Sequence, residues 1–201
     1  HTNDVWIGTA GGLHRYVAEK DSFVCYTESN TNYQLLGNDI KTLIEDHRGN
    51  VWIGTWANGL SRFDPKQTRF YPYPRINQRN SAHILFQDNR NNIWVGSWGF
   101  GLFRIENPYD LKRVKYINYS HSSNPQSLSD NIVYSLSQDI NSNTIWIGTR
   151  SGLSILNDLN NQNSFTNYLP NESGQSIPYN EVNSLIRDKS GNLWIGTLGG
   201  G

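Results

Sequence analysis

Val51-Trp52-Ile53-Gly54-Thr55 is the string that decides the fold, because it returns four more times with only conservative changes. The other copies are Val5-Trp6-Ile7-Gly8-Thr9, Ile93-Trp94-Val95-Gly96-Ser97, Ile145-Trp146-Ile147-Gly148-Thr149 and Leu193-Trp194-Ile195-Gly196-Thr197. Their tryptophans are separated by 46, 42, 52 and 48 residues. This period is typical of a four-stranded sheet that repeats around an axis. The sequence therefore predicts an all-β propeller, in which residues shared by every copy serve the architecture.

Four strands can be assigned to each repeat by aligning the copies. The first strand follows an asparagine and ends at an aspartate eight residues later, as in Asn38 to Asp46, Asn80 to Asp88, Asn131 to Asp139 and Asn180 to Asp188. A polar turn leads into the Trp string, which is the second strand. The third begins at Leu60 and its equivalents, and the outer strand, with Pro72, suits a sheet edge. We predict antiparallel four-stranded blades at about 38–79, 80–130 and 131–179, flanked by partial blades at 1–37 and 180–201.

Composition excludes several classes of partner. Seventeen basic residues balance seventeen acidic ones, so no net field attracts nucleic acid or an anionic membrane. No apolar run approaches the roughly 20 residues of a membrane span, so we expect no membrane insertion by this chain. The single cysteine, Cys25, lies in an apolar stretch, and we expect it to be a small buried core residue.

The chain begins at His1 and holds no Met, so we expect it to be part of a longer protein. Repeat arrays need protected ends. Either the remaining blades and domains of that protein or a second copy of this chain, in a homodimer, is expected to complete the ring.

The pattern of an Asn-started strand, Asp-x-x-Gly-Asn, x-Trp-Ile-Gly-Thr and Gly-Leu-x-x-Phe/Tyr resembles the two-component regulator propeller repeat over essentially the whole chain. The resemblance implies a periplasmic sensor region of a hybrid two-component histidine kinase, the extracytoplasmic part of an inner-membrane protein. Such regions sense oligosaccharides released from polysaccharides and pass the signal to a kinase elsewhere. No kinase motif occurs here, so the fragment itself is expected to be non-enzymatic.

Catalytic, metal and cofactor sites are not indicated. Glycoside hydrolysis needs two facing carboxylates, but the acids that recur in every blade are better explained as turn formers. Asp39, Asp130 and Glu181 are unrepeated and remain the candidates for a catalytic pair. The histidines occur singly, without the spacing of a metal site. A propeller glycoside hydrolase or polysaccharide lyase, and a protein–protein interaction platform, stay open as alternatives.

Ligand binding is expected on one side of the blades. The connections from outer to next inner strand, and from second to third strand, emerge on the same side, and loops on a rigid scaffold are where recognition sits. Exposed aromatic rings would stack on sugar rings, and Arg, Asn and Tyr would hydrogen-bond the hydroxyls of an oligosaccharide or another small neutral ligand. The candidates are Trp56, Trp98, Phe100, Arg150, Tyr33, Arg75, Lys41, His83, Tyr134 and Asn183.

Two interpretations of these candidates remain. Trp56 and Trp98 either pack between adjacent blades or face a ligand. Arg150 stands where other copies carry an aromatic residue, and it is either a solvated turn residue or a ligand contact. Lys41, His83, Tyr134 and Asn183 occupy matching positions in the first strands, and four unlike polar residues at one position indicate a channel mouth.

Overall fold

The computed structural model describes residues 4–32, 34–73, 76, 81–139, 142–171 and 176–200. In these ranges the chain forms seventeen β-strands and one short 3-10 turn, Ala18–Lys20. None of the helices described there is long and apolar enough to span a membrane. The strands are β1 (Val5–Thr9), β2 (Gly12–Val17), β3 (Ser22–Tyr26), β4 (Ile40–Glu45), β5 (Val51–Thr55), β6 (Leu60–Asp64), β7 (Arg69–Tyr73), β8 (Ala82–Gln87), β9 (Ile93–Ser97), β10 (Leu102–Glu106), β11 (Lys115–Tyr119), β12 (Val133–Gln138), β13 (Ile145–Thr149), β14 (Gly152–Leu156), β15 (Phe165–Tyr168), β16 (Val182–Arg187) and β17 (Leu193–Thr197).

The strands form five antiparallel sheets in which neighbours in sequence are neighbours in space. Three sheets have four strands, in the orders β4-β5-β6-β7, β8-β9-β10-β11 and β12-β13-β14-β15. They are flanked in sequence by the three-stranded sheet β1-β2-β3 and the two-stranded sheet β16-β17. The predicted fold class, a propeller of three complete and two partial blades, is confirmed. The borders assigned between blades in the linking loops stay a prediction.

In three of the sheets, an aspartate fixes the turn between the first and second strands. Asp46 Oδ1 accepts hydrogen bonds from the backbone N–H groups of Arg48 and Asn50, both at 2.9 Å. Its Oδ2 accepts one from Trp52 Nε1 at 2.8 Å. Asp88 with Trp94 and Asp188 with Trp194 repeat this arrangement. The aspartate therefore holds both the turn and the indole that follows it.

The second strands of the three four-stranded sheets lie in covered positions, as their unbroken apolar strings predict, whereas β1 and β17 are largely exposed or half-buried. All five residues are buried in β5 and in β9. A side chain at Gly54 would place its Cβ 2.7 Å from the carbonyl oxygen of Ala82. The glycine is needed because another backbone passes directly against this strand.

The chain divides into two compact units, residues 1–85 and 86–201, and the division falls inside β8. In the first unit, Leu13, Ile53 and Phe63 belong to a core cluster formed between the β1-β2-β3 and β4-β5-β6-β7 sheets. In the second, Leu153 and Val182 belong to a cluster formed between the β12-β13-β14-β15 and β16-β17 sheets.

The expectation that Cys25 is a buried core residue was wrong. Its thiol is free and exposed. Cys25 lies on β3, an outer strand that pairs only with β2, and residues 22–25 are all exposed. Apolar residues in an outer strand indicate burial only where another element covers that strand.

Candidate functional site

The turns between second and third strands lie beside the start of the first strands. The backbone N–H of Trp56 donates to the carbonyl oxygen of Asp39 at 2.9 Å, and Arg150 N–H donates to Ile132 O at 3.1 Å. Leu198 N–H donates to Glu181 O at 2.9 Å in the same way. Within these three sheets the two segments therefore share one side, and we call this side of the blades, including the equivalent turn at Trp98, the rim.

A β-bulge opens the first strand at the rim in three of the sheets. The pairing of β4 with β5 skips Lys41, that of β12 with β13 skips Tyr134, and that of β16 with β17 skips Asn183. Bulges re-aim side chains and are frequent beside functional sites. Four unlike polar residues occupy the matching position in the first strands. Three of them, Lys41, Tyr134 and Asn183, are therefore the bulged residues themselves.

In the first unit, the cation of Lys41 lies beside the ring of Trp56 at the rim. Lys41 Nζ lies 5.1 Å from the ring centre of Trp56 and 3.5 Å from Asp39 Oδ1. Trp56 keeps 42% of its surface exposed. Burial lowers the pKa of His83, and the positive charge of Lys41 lowers it further, so this part of the rim favours a neutral imidazole.

In the second unit, the rim carries two exposed aromatic residues on a hydrogen-bonded turn. Trp98 is 43% exposed and Phe100 is 44% exposed. The Trp98 ring meets Tyr134 edge to face, with 5.7 Å between ring centres. Gly99 and Gly101 donate their N–H groups to Asn131 O at 3.0 and 2.9 Å. The turn holds Trp98 against one aromatic neighbour while leaving much of the indole open to solvent.

Arg150 is held by a buried carboxylate. Its Nε and one terminal nitrogen both lie 3.1 Å from Asp130 Oδ2, and Ser151 Oγ donates to the same oxygen at 2.7 Å. Asp130 Oδ1 accepts the N–H of Ile132 at 2.8 Å. The Arg150 side chain remains 54% exposed. Arg150 is therefore an oriented cation, because its guanidinium is fixed by a buried partner.

Tyr134 lies among these groups. Burial raises the pKa of Tyr134, and the charges of Glu181 and Asp130 raise it further while Arg150 opposes them. Its hydroxyl is therefore neutral at physiological pH and can both donate and accept a hydrogen bond. Trp98, Tyr134 and Arg150 together form a surface with an apolar face and polar edges.

A hollow of about 590 Å³, lined by serine and asparagine side chains together with Pro125, Leu128 and Leu169, adjoins Ser151 in the second unit. Its wall includes the loop that begins at His121, together with Ser129, Asn167 and Leu169. Asn167 Nδ2 donates to Pro125 O and Ser127 O at 3.1 and 2.9 Å, which ties the loop to β15. The side chains that line the hollow carry no carboxylate, lysine or arginine.

The structure does not gather every candidate into one place. Tyr33 and Arg75 lie outside the described residues. Asn183 is exposed on β16, and no described contact joins it to an aromatic rim residue. Trp98, Phe100, Tyr134 and Arg150 belong to the second unit, whereas Trp56, Lys41 and His83 belong to the first.

Sequence reasoning missed the partner of Arg150. Asp130 was considered only as a candidate catalytic acid, although its carboxylate binds Arg150, Ser151 and a backbone N–H. The sequence did offer a signal for this pair. One position is aromatic in two copies and arginine in the next, and an unrepeated aspartate lies twenty residues before that arginine.

The recurring acids are engaged in turns. Asp46, Asp88 and Asp188 each accept backbone N–H groups and an indole N–H. Among the residues that the structure describes, no three His, Cys, Asp or Glu side chains cluster as metal ligands.

Three segments of the chain match the family model described as the two component regulator propeller, at residues 34–57, 127–151 and 176–199. These three segments match two-component regulator propeller repeats, and the resemblance indicated by the sequence is confirmed there. A comparison with curated protein sequences finds no significant match.

Solved structures with the same fold include extracellular domains of hybrid two component systems and an enzyme. The extracellular domain assigned to the hybrid two component system BT4673 from B. thetaiotaomicron aligns with a TM-score of 0.76 and 21% identity over 98% of this chain and 25% of that chain. The corresponding domain of BT3049 gives 0.73 and 23% over 100% and 24%. A GH74 enzyme from Niastella koreensis gives 0.68 and 14% over 98% and 31%. The chain spans about a quarter to a third of these structures, and identities this low establish the fold alone.

Proposed function

We propose that this chain is part of a periplasmic sensor propeller of a hybrid two-component system. It binds a neutral oligosaccharide at the rim of the second unit and relays binding to a kinase located elsewhere. The regulator propeller repeats support the sensor assignment. The extracellular domains of BT4673 and BT3049, which have the same fold, support a position outside the cytoplasm.

The observation that carries the ligand class is the half-exposed indole of Trp98 beside Tyr134. An aromatic ring fixed by a neighbour at 5.7 Å loses little conformational freedom when a ligand stacks on it. A sugar ring presents an apolar C–H face to such a ring, while its hydroxyls need donors and acceptors at the edge. The Tyr134 hydroxyl and the Arg150 guanidinium supply these groups.

Charge compensation at the rim favours a neutral ligand. The cation of Arg150 is paired with Asp130, and that of Lys41 with Asp39. The hollow next to Ser151 is lined by serine and asparagine side chains that can hydrogen-bond hydroxyl groups, and by no carboxylate, lysine or arginine. An anionic ligand would need a cation free of carboxylate partners, and both described rim cations already have one.

A binding role is favoured over hydrolysis because Asp130, a candidate catalytic acid near Tyr134, is committed to other partners. Asp130 is 7% exposed and accepts bonds from Arg150, Ser151 and Ile132. A general acid or base must reach the scissile bond. Release of reducing ends from any bound oligosaccharide would contradict this assignment and favour the hydrolase alternative.

Thermal-shift screening with neutral cello-, xylo-, manno- and fructo-oligosaccharides tests the proposal. We expect at least one to raise the melting temperature of the chain, because a ligand that binds only the folded state stabilises it. Trp98→Ala is expected to abolish that shift, and Arg150→Gln to reduce it.

Phe23→Ser is the matched control, because Phe23 is a 56% exposed aromatic residue on an outer strand of the first unit. It should retain the full shift. A positive shift that survives unchanged in both Trp98→Ala and Arg150→Gln would remove the rim of the second unit as the site.

A further inference from the structure

The hollow beside Ser151 is formed by the loop that connects β11 to β12, together with the β13-β14 turn and the end of β15. All of these segments belong to the second unit. The volume of about 590 Å³ falls within the roughly 300 to 1,000 Å³ of small-molecule sites in proteins. The hollow therefore has room for a ligand of its own.

Buried polar side chains hold the loop wall of the hollow in one conformation. Ser127, which is 3% exposed, accepts the N–H of Ser122 at 3.0 Å through its hydroxyl oxygen. Ser154, which is 0% exposed, accepts the N–H of Ser129 at 3.1 Å in the same way. Asn167 Nδ2 donates to the carbonyl oxygen of Ser127 at 2.9 Å. A wall fixed in this way loses little conformational freedom when a ligand binds.

The hydrogen bonds inside the loop use side-chain acceptors. Ser122 Oγ accepts the N–H of Asn124 at 3.2 Å, and Asn124 Oδ1 accepts the N–H of Gln126 at 2.9 Å. These bonds do not use the O–H of Ser122 or the amide N–H groups of Asn124, and both residues line the hollow. The loop can therefore donate hydrogen bonds to the hydroxyl oxygens of a ligand.

His121 supplies an acceptor at the same wall. Its Nδ1 lies 2.9 Å from the carbonyl oxygen of Leu128. Because a carbonyl oxygen only accepts, we assign the ring proton to Nδ1, and Nε2 of the neutral imidazole is then an acceptor. His121 lines the hollow. The wall thus offers donors and an acceptor together, which suits hydroxyl groups because each of them both donates and accepts.

The first unit carries the same bond at the start of its loop with a different residue at the position of His121. There Asn38 Oδ1 accepts the N–H of Glu28 at 2.8 Å, as Asn131 Oδ1 accepts that of His121 at 2.8 Å. Ten residues separate the two partners in both cases. The bond belongs to the repeated frame, whereas the side chain that it positions varies between copies, as expected of a residue that contacts a ligand.

Asn131 connects the hollow to the turn that carries Trp98. Its carbonyl oxygen accepts the N–H groups of Gly99 and Gly101 at 3.0 and 2.9 Å. Its side-chain Oδ1 accepts the N–H of His121. One residue therefore holds both the turn of the exposed indole and the beginning of the loop wall.

Asp130 makes a second connection between the hollow and the rim. Its Oδ2 accepts hydrogen bonds from Ser151 Oγ at 2.7 Å and from Arg150 Nε at 3.1 Å. Ser151 lines the hollow, whereas Arg150 is close enough to Tyr134 for its charge to act on that hydroxyl. The hollow and the aromatic surface thus meet at one turn.

We propose that the hollow is a second sugar subsite, contiguous with the surface of Trp98, Tyr134 and Arg150, so that the ligand is an oligosaccharide of at least two neutral units. This inference rests on the proposed function. One unit stacks on Trp98. The next lies in the hollow, where His121 Nε2 accepts a hydrogen bond from one of its hydroxyl groups and the loop donates to others. An anionic unit would meet no lysine or arginine in that lining.

Calorimetric titration with neutral cello-, xylo-, manno- and fructo-oligosaccharides of increasing length tests the inference. In a series that binds, the affinity should rise roughly tenfold or more from the monosaccharide to the trisaccharide, because only the longer sugar reaches both subsites. His121→Asn places an amide N–H where Nδ1 lies and removes Nε2. It should weaken trisaccharide binding roughly threefold to tenfold, the worth of one hydrogen bond, and leave monosaccharide binding unchanged.

His47→Asn is the matched control, because His47 lies between β4 and β5 in the first unit and should change neither affinity. The ring nitrogens of His121 give a readout that needs no sugar. Long-range proton–nitrogen spectra in mildly alkaline buffer should show a proton on Nδ1 and none on Nε2, and the trisaccharide should then shift the Nε2 signal.

The opposite tautomer of His121, or trisaccharide affinity that His121→Asn leaves unchanged, would overturn the second subsite. Trisaccharide binding that persists in His121→Asn but is lost in Trp98→Ala would remove this inference alone and leave the proposed function standing. Failure of every sugar in the panel to bind would overturn both.

Discussion

At the scale of single residues, the aspartate that ends each first strand does more than form a turn. Its position in the pattern predicts the turn, but only the structure shows the indole N–H bond. The bond depends on turn length: Asp46 and Trp52 are six residues apart, whereas Asp139 and Trp146 are seven apart. Trp146 Nε1 is buried and meets no acceptor among the described residues, and Asp139 lies 3.7 Å from Arg187 instead.

Asp46→Ala is expected to lower the free energy of unfolding by about 2 to 3 kcal/mol, because a buried donor that loses its acceptor carries its full desolvation cost. Trp52, whose indole N–H loses that acceptor, is 0% exposed. Asp188→Ala is the matched control, since its partner Trp194 is 62% exposed and water can replace the carboxylate. Urea unfolding measures both, and equal losses would contradict the role assigned to burial.

The hydrogen bonds at Asp188 also predict a pH dependence. Bonds from Trp194 and Asn192 lower the pKa of Asp188 to about 2, below an unfolded value of about 3.9. The stability that these bonds give is therefore present above about pH 3.9 and is lost as the pH falls through about 2. The indole N–H resonance of Trp194 should titrate with a midpoint near pH 2. A midpoint near 4 would show that the carboxylate makes no such bonds in solution.

At the rim, the sequence predicts which residues occupy equivalent positions but not how their backbones and side chains are arranged. The matching positions of Lys41, Tyr134 and Asn183 can be aligned from the repeat alone. Their placement on β-bulges cannot, because a bulge is set by the pairing of two backbones and these three residues share no side-chain type. The pairing of Arg150 with Asp130 joins a turn to a loop twenty residues earlier in the sequence. No periodic pattern of the sequence links two positions at that separation, so the pair could not be predicted.

At the scale of elements, the strands are predictable because the same sequence pattern recurs in each repeat. The five Trp strings are the second strands with unchanged bounds. The turn prediction also holds in detail, since Asn91 and Asn143 adopt φ of 66° and 58° where other copies carry glycine. Cys25 was predicted wrongly because the repeat pattern says little about which outer strands are covered.

Gly54→Ala tests the close approach between neighbouring sheets in the first unit. A Cβ at this position would lie 2.7 Å from Ala82 O, so the variant should lose about 1 to 3 kcal/mol of unfolding free energy through overpacking. Gly11→Ala is the control, because its nearest neighbour would be Thr9 Oγ1 at 3.7 Å. Thermal unfolding of the two variants should differ clearly, and a neutral Gly54→Ala would contradict the packing.

At the scale of the whole molecule, positions that repeat between copies can be told apart from positions that vary. Repeated residues build the sheets, and among the residues at the rim Tyr134 and Arg150 differ from their counterparts in the other copies. In the β4-β5-β6-β7 and β8-β9-β10-β11 sheets, the tryptophans divide along the same line. Trp52 and Trp94 are 0% exposed, whereas Trp56 and Trp98 are 42% and 43% exposed.

The indole N–H resonances therefore test the central claim most directly. In an NMR titration with the neutral oligosaccharide panel, we expect one or more sugars to shift the signal of Trp98 in a saturable way. The signals of Trp52 and Trp94 should stay in place, because those indoles are bound to Asp46 and Asp88 inside the sheets. Saturable shifts confined to the scaffold indoles, or no shift at Trp98 with any sugar of the panel, would contradict recognition at the rim.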